Sequence, residues 1–238
     1  MAAKELRYYL RDPRQRASSL VWFLFAVALP VGVVLGDVSR PEIVFAAAAF
    51  APFVGLASIN QYGLEGGAHW MNVAAGTDVR SDLVGKNLAL AALALALVAG
   101  EAVILAAITG GWLWIPVTVV ASAGFFGVVL GVGNVISARA PQPAPPSTTN
   151  LFATNAGQGC TAGLLQLLAM LIQSVLLIPV VVAVALPLVW WRPALVLTTP
   201  LALAYGWLCW RSGLGHAVGW LSPRQPEFLD TLSAHQGG

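Results

Sequence analysis

Long, unbroken apolar runs alternate with short polar links along this chain, and none of the runs shows the every-second-residue alternation of a half-buried strand. Crossing a hydrocarbon layer of about 30 Å takes about 20 helical residues, and only a helix or a closed barrel satisfies its own backbone there. The continuity of the runs selects helices. Six runs qualify, at about 17–36, 43–60, 88–109, 113–137, 163–183 and 193–210. The expected fold class is therefore all-α: a polytopic membrane protein with six transmembrane helices within 17–211, an N-terminal interfacial helix over 1–16 and a tail over 212–238. The first run is too long for the roughly 7 to 15 residue core of a cleaved signal sequence and is followed by no Ala-x-Ala site, so it reads as an anchor. The fifth run carries a surplus, because 163–191 is longer than one upright helix needs and contains Pro179 and Pro187. That surplus points to a helix ending near 178–183 and a re-entrant element over 180–192, with one long kinked helix as the alternative.

Composition closes off the soluble classes. Hydrophobic residues make up 58% and charged ones 9%, with a mean hydropathy of +0.78. A soluble domain carries about 25% charged residues, so this chain cannot coat itself for water as an ordinary enzyme or a nucleic-acid binder does. The placement of charge orients the helices. Lys4, Arg7, Arg11, Arg14, Arg16, Arg80, Lys86, Arg139, Arg211 and Arg224 fall on one side of a six-span topology, and only Arg40 and Arg192 on the other. Basic links stay in the cytoplasm, which places both termini there. Arginine outnumbering lysine, with heavy Ala, Gly and Val usage, points to a bacterial cell membrane by association. Cys160 and Cys209 lie at apolar runs, outside metal or disulfide spacing, and read as small buried side chains.

The polar segments hold the candidate chemistry. Lys4 to Arg16, KELRYYLRDPRQR, has helical propensity up to Arg11 and then meets Asp12-Pro13, which ends or bends a helix. It fits either an interfacial helix that touches a partner or a basic anchor. The link Gln61 to Lys86 holds Glu65, His69, Asp78, Arg80, Asp82 and Lys86 together with Leu64, Trp70, Met71 and Val73. Its spacing predicts a short amphipathic helix from about Gly66 to Ala75, with Trp70 either an anchor for a docking partner or a residue of the aromatic belt. Glu101 is the one ionisable residue inside a span, where a carboxylate costs on the order of 3 kcal/mol; it is expected to face protein or water, as a cavity or proton site, or to reach headgroup water. Gly32/Gly36 and Gly127/Gly131 form small-xxx-small pairs that permit close helix contact.

Several motifs are missing from the sequence. Gly85-Lys86 is the only Gly-Lys pair and lacks both the leading glycine and the following Ser or Thr of a phosphate-binding loop; His69, His216 and His235 make no paired metal spacing, and there is no G-x-S-x-G. The chain thus reads as a non-enzyme, with no cofactor or metal of its own.

Three stretches together resemble the membrane domain of ATP-binding-cassette (ABC) exporters of the type-2 permease family. KELRYYLRDPRQR is similar to the basic helix that precedes the first span in many of them. Asn60 to Asn87, NQYGLEGGAHWMNVAAGTDVRSDLVGKN, is similar to their cytoplasmic link, and Asn155 to Cys160, NAGQGC, to the start of their fifth span. The resemblance implies that Glu65, Gly66, Trp70 and Met71 serve coupling to a partner, that Gly85 and Lys86 are the closing pair of the link, and that a re-entrant element lies between spans five and six. Many relatives have a proline near the position of Gly76. The resemblance also implies a nucleotide-binding ATPase subunit that holds ATP and Mg, a second permease half (the same chain or a different one), and export of a hydrophobic or amphipathic compound. Two other readings remain open: an ion-coupled secondary transporter using Glu101, and a non-transporting membrane scaffold or accessory subunit.

Overall fold

The computed structural model describes residues 2–11, 24, 26–142 and 159–233. The expected start of the first span, the proline-rich link beyond Gln142 and Asn155 to Gln158 lie outside the described residues. Among the described residues every regular element is a helix: α1 (Ala2–Arg11), α2 (Ala26–Leu35), a 3-10 helix (Pro41–Phe50) continued by α3 (Ala51–Ile59), α4 (Gln61–Glu65), α5 (Trp70–Ala74), α6 (Val79–Thr109), α7 (Ile115–Arg139), α8 (Gly159–Trp190), α9 (Leu195–Leu221) and α10 (Gln225–Ser233). Five stretches are long and apolar enough to cross a membrane: Pro41–Ile59, Val79–Thr109, Trp112–Arg139, Gly163–Trp190 and Arg192–Leu232. This is a multi-pass membrane protein. Ala26–Leu35 is a shorter apolar helix whose upstream neighbours fall outside the described residues.

The centre of the bundle is the pair α7 and α9, joined along a seam of small residues. A Cβ on Gly124 would lie 2.8 Å from the carbonyl oxygen of Ala202, and one on Gly131 2.5 Å from that of Cys209. In the reverse direction, Cβ atoms on Gly206 and Gly213 would fall on the backbone of Gly124 and Gly131. Lipid tails are as apolar as leucine, so helices in a bilayer gain by close backbone approach, and glycine permits the closest. The Gly127/Gly131 pair lies on this seam, whereas a Cβ on Gly32 would meet nothing.

On the other face of α7, a layer of Pro41–Phe50, α3 and α6 forms the main core. Leu90, Ala94, Val98, Ala102 and Leu105 are buried at three- to four-residue intervals along α6, and Leu88, Val103 and Ile104 are exposed on its opposite face. The 3-10 winding of Pro41–Phe50 rises about 2 Å per residue, so Pro41–Ile59 reaches about 33 Å, one hydrocarbon thickness. Polar side chains tie α8 to this core. Gln173, 4% exposed, donates to the carbonyls of Val129 (3.2 Å) and Gly55 (3.5 Å), and the Ser58 hydroxyl donates to the same two carbonyls at 3.1 and 2.8 Å.

Two differences from the sequence expectation have clear causes. In place of a helix ending near 178–183 and a re-entrant element over 180–192, α8 runs unbroken through Pro179 and Pro187 to Trp190. Proline lacks the N–H that would serve the carbonyl four residues back, Val175 for Pro179, and is tolerated in membrane helices where neighbours satisfy such groups; beside it the carbonyl of Leu176 accepts a hydrogen bond from the Tyr205 hydroxyl at 3.1 Å, which ties α8 to α9. The second difference is the start of α6, nine residues ahead of the expected 88, with Asp78 as its cap accepting from the Ser81 amide. At about 1.5 Å per residue α6 is about 46 Å long, so its first turns project beyond the hydrocarbon layer.

Candidate functional site

The projecting start of α6 is where the polar residues converge. Asp82 and Lys86, one turn apart and nearly fully buried, point into a pocket closed by α1, the link 60–78 and α10. The Lys86 ammonium lies 2.6 Å from Asp82 Oδ1, 3.0 Å from Glu65 Oε2 and 4.0 Å from Glu5 Oε1. His69 Nδ1 is 3.0 Å from Glu65 Oε2, one helical turn along. Asn72 donates to Glu65 Oε1 at 2.7 Å and to Asp82 Oδ1 at 3.3 Å, and its own oxygen accepts from Lys4 of α1. Aromatic rings seal the knot: Lys86 Nζ sits 5.2 Å from the Tyr62 ring centre, and the rings of Tyr62, His69 and Phe228 meet edge to face. Phe228 and Leu232 of α10 are buried here, so the segment expected as a tail is packed structure in its described part.

Chemically the knot is an internal ion cluster. Glu65, His69 and Asp82 bring ligand atoms within 4.8 Å of one another, a spacing that suits a metal, yet Lys86 already serves the Glu65 and Asp82 oxygens as their cation. Burial pushes the Glu65 carboxyl up, but the His69 hydrogen bond and the Lys86 charge outweigh it and hold the group at about 2. Glu5 goes the other way, because burial raises it by more than Lys86 lowers it. Burial also lifts the Tyr62 hydroxyl well above its ordinary range.

The Glu65 shift has a defined sign. Its folded value lies below the ordinary 4.5, so its contribution is fully present above that value and is lost as pH falls towards about 2. The Glu65 contribution to the thermal midpoint in detergent is expected to be constant from neutral pH down to about 5 and to fall away below about 4.5, read as a flatter acid limb in Glu65→Gln than in the unaltered protein. An acid limb unchanged in Glu65→Gln would show that another group carries it.

Gly66 has φ 55° and ψ −138°, a region open to glycine, and the 3-10 turn Gly66–His69 leads into α5. Helical turns thus cover the stretch where an amphipathic helix was expected. Trp70 is 59% exposed and Met71 53%, adjacent at the start of α5. Gly76, with φ 69°, occupies the left-handed region, which proline cannot adopt, so the backbone here differs from what a proline would impose.

The sequence-derived site residues divide accordingly. Glu65 and Lys86 are joined in the knot, and Gly85 is buried beside Lys86 in α6. Gly66 supplies the turn, and Trp70 and Met71 lie on the surface. Glu101 stands apart, about 22 Å along α6 from Lys86. It is 2% exposed on the packed face, and its Oε1 has no hydrogen-bond partner among the described residues. Sequence reasoning missed Glu5, His69, Asn72 and Asp82 as partners. The i to i+4 pairs Glu65/His69 and Asp82/Lys86 were readable signals; Glu5 and Lys4, more than 60 positions away from their partners, gave none. A second polar layer, Gln61 to Asn87 (3.2 Å) to Asn134 (2.9 Å), ties α4, α6 and α7 together beneath the knot.

Fold and site together define a multi-pass membrane protein, all-helical among the described residues, with a buried ion cluster at one end of α6. Set against protein-family models, curated proteins and solved structures, the chain matches none of them.

Proposed function

We propose that this chain is the permease subunit of an exporter in a bacterial cell membrane, driven by ATP hydrolysed on a separate subunit that docks on Trp70 and Met71. In this reading the segment leading into α2 is the first of six spans, both termini are cytoplasmic, and a second permease half completes the path for a hydrophobic or amphipathic compound. One observation carries the reading: two large apolar side chains are displayed side by side on a link whose interior is pinned to a membrane-crossing helix by the Glu65–Lys86 ion pair. Exposed Trp on a rigid support is the kind of residue that dominates protein interfaces, and a force on it reaches α6 through a short charged contact. The likeness of 60–87 to the type-2 permease link supports the same reading.

The test is a photo-crosslinker at position 70 of the full chain, expressed in its own host. The expected capture is a protein with a phosphate-binding loop, and Trp70→Ala is expected to weaken its co-purification about thirtyfold, the effect of losing about 2 kcal/mol. Retained co-purification in Trp70→Ala would move the docking site elsewhere. Transport that survives ATP depletion and is abolished by Glu101→Gln would replace this reading with ion coupling, which the buried, unpartnered Glu101 oxygen favours.

A further inference from the structure

A second feature at the basic end of the bundle owes nothing to the docking link. A groove of about 680 Å³ runs along one face of α9, lined by Leu208, Arg211, Ser212, Gly215, His216 and Trp220, with Arg139 reaching in from the end of α7. The lining of α9 recurs every three to four residues, opposite the buried stripe of Gly213, Leu214, Ala217 and Leu221. Its floor is open, because a Cβ on Gly215 or Gly219 would meet nothing within 4 Å. Arg139 and Arg211 are both exposed, and among the described residues no carboxylate lines the groove and no ion pair engages either arginine. Arg224 adds a third cation at the outer end, stacked 5.3 Å over the Trp220 ring.

Depth decides what this groove meets. Arg192 and Arg211 bracket the apolar part of α9 and are about 28 Å apart along it, one hydrocarbon thickness. Arg211 therefore sits at the boundary, Leu208 one turn inside, and His216 and Trp220 in the headgroup layer and beyond. A molecule that fits must carry an anion and an apolar chain joined at that boundary. We propose that the groove binds an anionic phospholipid, with its phosphodiester between Arg139 and Arg211 and one acyl chain along Leu208. Basic pockets at this depth attract acidic headgroups, and arginine's planar fork matches two phosphate oxygens. A soluble phosphate has the charge but no use for Leu208, and a zwitterionic lipid has the chain but carries its own cation.

The experiment is native mass spectrometry of the full chain in neutral detergent, titrated separately with dioleoylphosphatidylglycerol, dioleoylphosphatidylcholine and inorganic phosphate. Phosphatidylglycerol is expected to be retained about thirtyfold better than phosphatidylcholine, a preference that Arg139→Gln with Arg211→Gln removes. Gly215→Leu, whose Cβ meets no neighbour within 4 Å, is expected to fill the open floor and displace the lipid equally, and keeps the test valid should the double variant fold poorly. Equal retention of the two lipids, undiminished phosphatidylglycerol on Gly215→Leu, or release of the lipid by millimolar phosphate overturns the proposal; the last outcome would mark a site for free anions.

Discussion

Lys86→Met is expected to cost about 3 to 5 kcal/mol and to lower the thermal midpoint by roughly 10 °C, because it strands Asp82, whose one cationic partner among the described residues is Lys86, and removes a shared cation from Glu65 and Glu5. Asp82 is 2% exposed and Glu5 4%, so water cannot readily take over. Cleavage sites in 60–78 are expected to become more open to limited proteolysis in the same variant, since Lys86 supplies the ion pair that holds Glu65 of the link to α6. Lys86→Arg keeps the charge and recovers part of the loss. Lys86→Met combined with Asp82→Asn is expected to be less damaging than the sum of the two, because each removes the other's reason for being buried. A midpoint within 2 °C of the unaltered protein would mean that the carboxylates are protonated or hydrated and that no ion cluster holds the cap.

Gly206→Ala is the other large effect, and the smallest side chain suffices to produce it. The added methyl would fall on the backbone of Gly124, where no rotamer change can relieve it, so α7 and α9 must separate along the seam that organises the bundle. Lost packing over several turns is expected to cost about 3 kcal/mol or more, read as a lowered midpoint and as aggregation in mild detergent. Gly100→Ala supplies the control with the opposite sign. A Cβ at Gly100 meets nothing within 4 Å, and alanine in a helix interior is favoured over glycine by about 1 kcal/mol. Equal midpoints for the two variants would show that the seam tolerates separation.

The apolar runs made the spanning helices legible because hydrocarbon imposes one secondary structure and a minimum length on them. Their ends were less legible. Asp82, Lys86 and Asn87 looked like residues of a water-exposed link, and α6 could extend through them only because Glu65, Asn72 and Gln61, from outside the helix, satisfy them. Pro179 and Pro187 looked like breakers, yet α8 runs through both, tied to α9 near Pro179 by the Tyr205 hydroxyl on the Leu176 carbonyl. The same asymmetry applies to the site. Trp70 and Met71 stood out as apolar residues in a charged setting, whereas the i to i+4 spacing of Glu65 and His69 was a signal the sequence reading left unused. Nothing local marked Glu5, which joins the knot across about 80 positions, or paired Gly131 with Gly213.

The unbroken length of α6 has a mechanical consequence. Its first turns are clamped by charge in the cap, and its last residue, Thr109, is followed by the left-handed Gly110 at the opposite end. From Lys86 to Thr109 the helix spans about 34 Å, so a tilt of about 5° at the knot would displace its far end by about 3 Å. Any tilt imposed on α6 at the knot would therefore be carried the full depth of the membrane, scaled by the distance from Lys86 to Thr109.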